Sequence, residues 1–126
     1  MPVRSLNSAV LKWPDRERVL EAACRWADGL RARDRQVREV FCVGSYARGD
    51  WGVGSDLDVI VVIADTVMSL IERRRNYEPG TFPVDVDISV YTQREWDLVQ
   101  SRSPILWNRL KRERIDLIPP RVAPGS

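Results

Sequence analysis

The sequence predicts a mixed α/β fold of the α+β kind, a small mixed sheet backed by helices, from three observations. Short valine- and isoleucine-rich runs bounded by glycine alternate with segments whose apolar residues recur at helical spacing. The stretch PVDVDISVY, 83–91, alternates strictly between apolar and polar side chains, as a half-buried strand does. Thr92-Gln-Arg-Glu95 then reads as a capping box, so a helix starts where that strand ends. Alternating helices and strands around one sheet is the expected arrangement. At 126 residues the chain makes one domain, long enough to bury about two-thirds of its unfolded surface. The expected division is an N-terminal arm at 1–12, a domain at 13–118 and a flexible tail at 119–126.

The elements follow in order. Trp13-Pro14 opens a helix with proline in its first turn. Val19, Ala23, Trp26 or Ala27, and Leu30 make its apolar face to about residue 34. Val37–Val43 is a strand that stops at Gly44. Residues 44–54 hold four glycines and no periodicity, so they form a loop with room for one helical turn. Asp56–Ile63 is the second strand, and its apolar run is that of a buried one. Thr66–Asn76 is a short helix whose Arg73-Arg74-Arg75 suits a helix C-terminus. In the third strand Val84, Val86, Ile88 and Val90 face one side, and Asp85, Asp87 and Ser89 the other. A helix runs from Ser103-Pro104 to about Glu113, with Leu106, Trp107 and Leu110 on its apolar face. Ile115–Ile118 is a short last strand.

Composition narrows the chemistry. The net charge of +2 is small and argues neither for nor against nucleic acid, so anion binding has to be local, and Arg73–Arg75 and the basic residues at 109–114 read as solvated helix ends rather than a nucleic-acid patch. No apolar run is long enough for a membrane span, and the N-terminus lacks a signal-peptide core, so the expectation is a cytoplasmic protein. Cys24 and Cys42 lack metal-ligand spacing and read as small buried hydrophobes. There is no histidine, which removes the commonest general base and zinc ligand and every Ser-His triad. Arg48-Gly49-Asp50 is read as a coincidental adhesion tripeptide. Gly52-x-Gly54 lacks the third glycine of a dinucleotide fingerprint and precedes a strand.

One segment concentrates what chemistry is left: GSYARGDWGVGSDLDVIVVI, 44–63. Asp56 and Asp58 head a hydrophobic strand and point the same way, their Cα atoms about 7 Å apart. Carboxylates at the head of a buried strand are costly without a positive partner. If the strand carrying Asp87 is a neighbour, three carboxylates converge. Oxygen donors without histidine or cysteine suit Mg²⁺ or Mn²⁺. Gly44-Ser45 directly follows a strand, where a glycine lets backbone N–H groups approach an anion and the serine adds a donor. Arg48 adds a charge-assisted contact. Each piece alone is an ordinary turn or a solvated strand end, and their coincidence carries the signal.

Gly44-Ser45, ten residues, Asp56-Leu-Asp58 and a later strand aspartate resemble the signature of the DNA polymerase β-like nucleotidyltransferase superfamily. GSYARG…SDLDV looks like its smallest branch, the minimal nucleotidyltransferases. The resemblance carries motifs over about residues 37–91, and the ending VYTQREWDLV…SPILWNRL is similar with less specificity. It implies the nucleotidyltransferase fold, Gly44 and Ser45 on the triphosphate, and Asp56 and Asp58 on two Mg²⁺ ions. A third carboxylate would bind one metal and activate the acceptor hydroxyl. Asp87 stands where the family's third aspartate stands, and Asp85, on the same face, keeps that assignment open. Arg48 matches the Ala-Arg-Gly segment.

The activity so implied is transfer of a nucleoside monophosphate, AMP from ATP, to a hydroxyl, with pyrophosphate released. Minimal members are often paired with a small helical HEPN-type protein as the antitoxin of a toxin–antitoxin pair, some modifying the partner's tyrosine. Two other readings stand beside it: a non-catalytic module that neutralises a partner by contact, and a small-molecule transferase such as an antibiotic-modifying enzyme, which normally needs a further domain.

Overall fold

The computed structural model describes residues 15–119. Helix α1 is Arg16–Arg33, β1 Val37–Val43, α2 Ser45–Arg48, β2 Leu57–Ile63, α3 Leu70–Tyr77, β3 Val86–Thr92, α4 Gln93–Arg102, α5 Pro104–Glu113 and β4 Ile115–Asp116. The four strands form a mixed sheet in the order β3-β2-β1-β4. β1 runs antiparallel to β2 and β4, and β2 runs parallel to β3. The parallel pair follows from α3, which carries the chain from the end of β2 back to the start of β3.

Helices cover both faces. On one, Val19, Ala23, Ala27 and Leu30 of α1 pack on Val37, Val40 and Cys42 of β1, Leu57, Val59, Val61 and Ile63 of β2, and Ile88 and Val90 of β3. On the other, Phe41, Val43, Ile60 and Val62 meet Trp96 of α4, with Trp107 and Leu110 of α5 against them. Trp96 is the centre of that layer, its ring 5.5 Å from Phe41, 5.4 Å from Tyr91 and 5.1 Å from Trp107. The period-2 alternation of β2 thus sends odd-numbered residues to the α1 layer and even-numbered ones, Asp58 included, to the α4–α5 side.

Helix ends follow local chemistry. Asp15 caps α1 by accepting from the Arg18 amide, so the expected opening at Trp13-Pro14 lies outside the described residues, as do the 1–12 arm and the tail beyond 119. Thr92 and Glu95 form the expected capping box. Helix α3 starts later than expected, at Leu70, because Ser69 accepts from the Glu72 amide while Thr66 turns to the Met68 amide in the preceding loop. Strand β3 starts at Val86 rather than Pro83, since its ladder with β2 begins at Leu57 opposite Val86. Leu106 is exposed, and Trp107 and Leu110 alone make the packed face of α5. Burial raises the Cys42 thiol to about 11, as suits an inert core residue, whereas Cys24 is only partly buried. Among the described residues no helix is long and apolar enough to cross a membrane.

Candidate functional site

The site grows from the register of the central strands. Asp58 is the second residue of β2, and across the parallel ladder its partner is Asp87 of β3. Neighbouring strands lie about 4.8 Å apart, so the two aspartates stand side by side on the α4–α5 face of the sheet. On the opposite flank of β2, Val43 pairs with Asp58, which brings Gly44 to the same spot as β1 ends. Asp56 precedes β2 by one residue and is exposed. The fold therefore gathers the ends of three strands that are distant in sequence.

Gly44 is where the backbone most needs glycine. Its φ of 78° and ψ of −154° lie in a region that L side chains rarely adopt. A Cβ there would collide with Oδ2 of Asp58 and stand 3.3 Å from its Cγ. The missing side chain is what lets the main chain lie against that carboxylate. From Gly44 the chain turns into α2, which is anchored from below. Tyr46 is buried and stacks on Trp51, with ring centroids 5.6 Å apart. Nε of Arg16 donates to the Tyr46 carbonyl at 2.7 Å, tying the end of this short helix to α1. Ser45 heads α2, its carbonyl accepting from the Gly49 amide at 2.9 Å and the Asp50 amide at 3.1 Å.

The electrostatics are those of crowded anions. Burial, then the charges of Asp87 and Asp56, push the Asp58 carboxyl above its usual range, and Glu113 adds to the effect while Arg48 opposes it. Two guanidiniums partly neutralise the group. Nη2 of Arg74 donates to Oδ1 of Asp87 at 3.0 Å, with both side chains about half exposed. Arg48 pairs with Asp50 at 3.2 Å and with Glu113 at 3.5 Å. Among the described residues, no group of three or more acidic, histidine or cysteine side chains is placed to hold a metal ion. The all-oxygen donors and the raised Asp58 carboxyl nonetheless suit a hard divalent cation, whose charge would relieve the mutual repulsion.

Of the residues singled out in the sequence, Gly44, Ser45, Arg48, Asp58 and Asp87 meet at one end of the sheet, with Asp56 at its margin. Asp85 lies one residue before β3; its carbonyl accepts from the Leu57 amide, and it lines a shallow hollow with Glu78, Gly80 and Phe82. Two residues at the site escaped sequence reasoning. In the sequence Arg74 is only one of three helix-end charges. Glu113, the last residue of α5, accepts from the Gly44 amide at 3.0 Å. Its one signal was electrostatic: an acidic residue ending a helix faces unfavourable carbonyl dipoles and needs a partner elsewhere.

Comparison with known proteins agrees with this architecture. Residues 23–120 match the family described as nucleotidyltransferase domain. A solved structure of a Sulfolobus solfataricus protein assigned as a nucleotidyltransferase is similar at a TM-score of 0.56, with 23% identity over 80% of each chain. A toxin–antitoxin structure with AMP-PNP is similar at a TM-score of 0.47, with 20% identity over 75% of this chain and 72% of that one. A mutant of the toxin–antitoxin pair MntA-HpeT gives 0.46 and 19% over 76% and 72%. No curated protein matches. Because the family match spans most of the chain, including β1 through β4 and every residue of the site, the protein belongs to the nucleotidyltransferase domain family.

Proposed function

We propose that this nucleotidyltransferase moves a nucleoside monophosphate, AMP from ATP, onto a hydroxyl in a metal-dependent reaction, the hydroxyl being a tyrosine of a HEPN-type toxin partner. The observation that carries the reading is the ladder register: Asp58 and Asp87 are direct partners on adjacent strands, beside a glycine whose backbone lies against Asp58. In this reading Gly44, Ser45 and Arg48 bind the triphosphate. Asp56, Asp58 and Asp87 would hold Mg²⁺ or Mn²⁺, which would supply positive charge where negative charge develops in the transfer. The acceptor oxygen bonds to the α-phosphorus as the bond to the bridging oxygen breaks and pyrophosphate departs. Asp87, more than half exposed, takes the acceptor's proton. That exposure supports an acceptor as large as a protein side chain. The absence of a membrane helix among the described residues is compatible with a cytoplasmic setting.

The alternative, neutralisation by contact alone, draws on the internal pairing of the site, with Arg74 on Asp87 and Glu113 on Gly44. Calorimetry with Mg²⁺ and ATP separates them. The catalytic reading expects binding that disappears with EDTA and in Asp58→Asn. Binding that is absent, or indifferent to metal and to the substitution, would defeat it.

A further inference from the structure

Glu113 sits where three physical terms disfavour it. It ends α5, where the backbone carbonyls repel negative charge. Its side chain is only 11% exposed. It adds to the negative field on Asp58. What holds it is the Gly44 amide, donating to Oε1 at 3.0 Å, and Arg48, paired with Oε2 at 3.5 Å. These are two of the three groups that the function proposed above assigns to the triphosphate, and the inference rests on that reading.

The neighbouring residue fixes the approach. Arg114 stacks its guanidinium on Phe41, 3.6 Å from the ring centroid, and pairs with Glu39 at 2.8 Å and Asp116 at 2.6 Å. The end of α5 is thereby pinned to β1 and β4, and Glu113 is delivered to Gly44 from a fixed base. Only its side chain has to rotate to leave.

We propose that Glu113 is a built-in competitor for the phosphate donors: its carboxylate occupies the Gly44 amide and Arg48 until a triphosphate displaces it. A carboxylate and a phosphate oxygen cannot accept the single Gly44 hydrogen in the same line, so binding requires exchange. The exchange costs a mononucleotide, with fewer charges to offer Arg48, proportionally more than a triphosphate, and it sets a threshold that favours polyphosphates.

The test is calorimetric titration of the full chain with inorganic tripolyphosphate and with Mg²⁺-ATP, in wild type, Glu113→Gln and Glu113→Ala. Glu113→Ala removes the acceptor and frees the Gly44 amide; Glu113→Gln keeps a carbonyl oxygen that still accepts from that amide but loses the charge paired with Arg48, so it gives a smaller change of the same sign where the alanine variant folds poorly. An amide blocked in about nine molecules of ten lowers apparent affinity about tenfold, so both probes should bind Glu113→Ala about tenfold more tightly than wild type, and Glu113→Gln more tightly by a smaller factor. Equal affinities, including none detectable in either protein, overturn the proposal. Weaker binding by the variant also overturns it, since Glu113 would then support the bound anion. Tighter tripolyphosphate binding without any nucleotide transfer leaves the competitor standing and removes the transferase reading. Transfer with unchanged affinity does the reverse.

Discussion

Replacing Gly44 by alanine tests the backbone geometry on which the site depends. At φ 78° and ψ −154° any L residue is strained, at a cost of about 1–3 kcal/mol. The new methyl also meets the Asp58 carboxylate, which β2 fixes between Val43 and Asp87. Moving a half-buried carboxylate adds about 1 kcal/mol, for a total of about 2–4 kcal/mol. In a domain of this size each kcal/mol lowers the melting temperature by about 4 °C, so a fall of about 8–16 °C is expected. Gly52→Ala is the control, because nothing lies within 4 Å of a Cβ there and its φ is outside the left-handed region. It should cost no more than about 0.5 kcal/mol. Thermal denaturation followed by circular dichroism reads both. A Gly44→Ala protein melting within about 2 °C of wild type would refute the close approach of Gly44 to Asp58.

Two further outcomes follow from the same geometry. Asp58→Asn removes one charge from the crowded group, so without metal the variant should be more stable than wild type at neutral pH, by on the order of 1 kcal/mol. The folded state raises the Asp58 pKa from 3.8, so wild type loses stability as pH rises through the window above 3.8; the variant's advantage should grow across that window and vanish below it. With Mg²⁺ and ATP the order should invert through ligand linkage, and a variant less stable than wild type in metal-free buffer at neutral pH would contradict the repulsion. Ser45→Ala should weaken triphosphate binding by about 1.5–3 kcal/mol with the fold intact, and unchanged affinity by calorimetry would take Ser45 out of the site.

Local chemistry was legible in the sequence where a residue acts on its own neighbours. β1 at Val37–Val43, the Thr92–Glu95 box and the start of α5 at Pro104 all lie where valine runs, capping spacing and proline place them. The misplaced starts of α3 and β3 have separate origins. Thr66 and Ser69 are equally good caps by composition, and the amide that each accepts from decides between them, whereas Val84 continues the alternation of β3 outside the ladder and only the pairing with β2 sets its start. The motif residues of the site were readable because their spacing is fixed within one strand–loop–strand unit. Strand order was not, and it is the parallel pairing of β2 with β3 that sets Asp87 beside Asp58. Glu113 reaches Gly44 across 69 positions of chain. A contact of that range leaves no local pattern, only a helix that ends on the wrong charge.

The central claim is transfer of a nucleotide to a protein acceptor, and intact mass tests it most directly. The chain is co-expressed with a HEPN-type toxin, as wild type and as Asp58→Asn, and the partner is weighed from each. The account predicts a partner heavier by one nucleoside monophosphate with wild type and of unmodified mass with the variant, even where the two proteins still associate. A partner that binds both proteins, is neutralised equally by both and keeps its unmodified mass would contradict it.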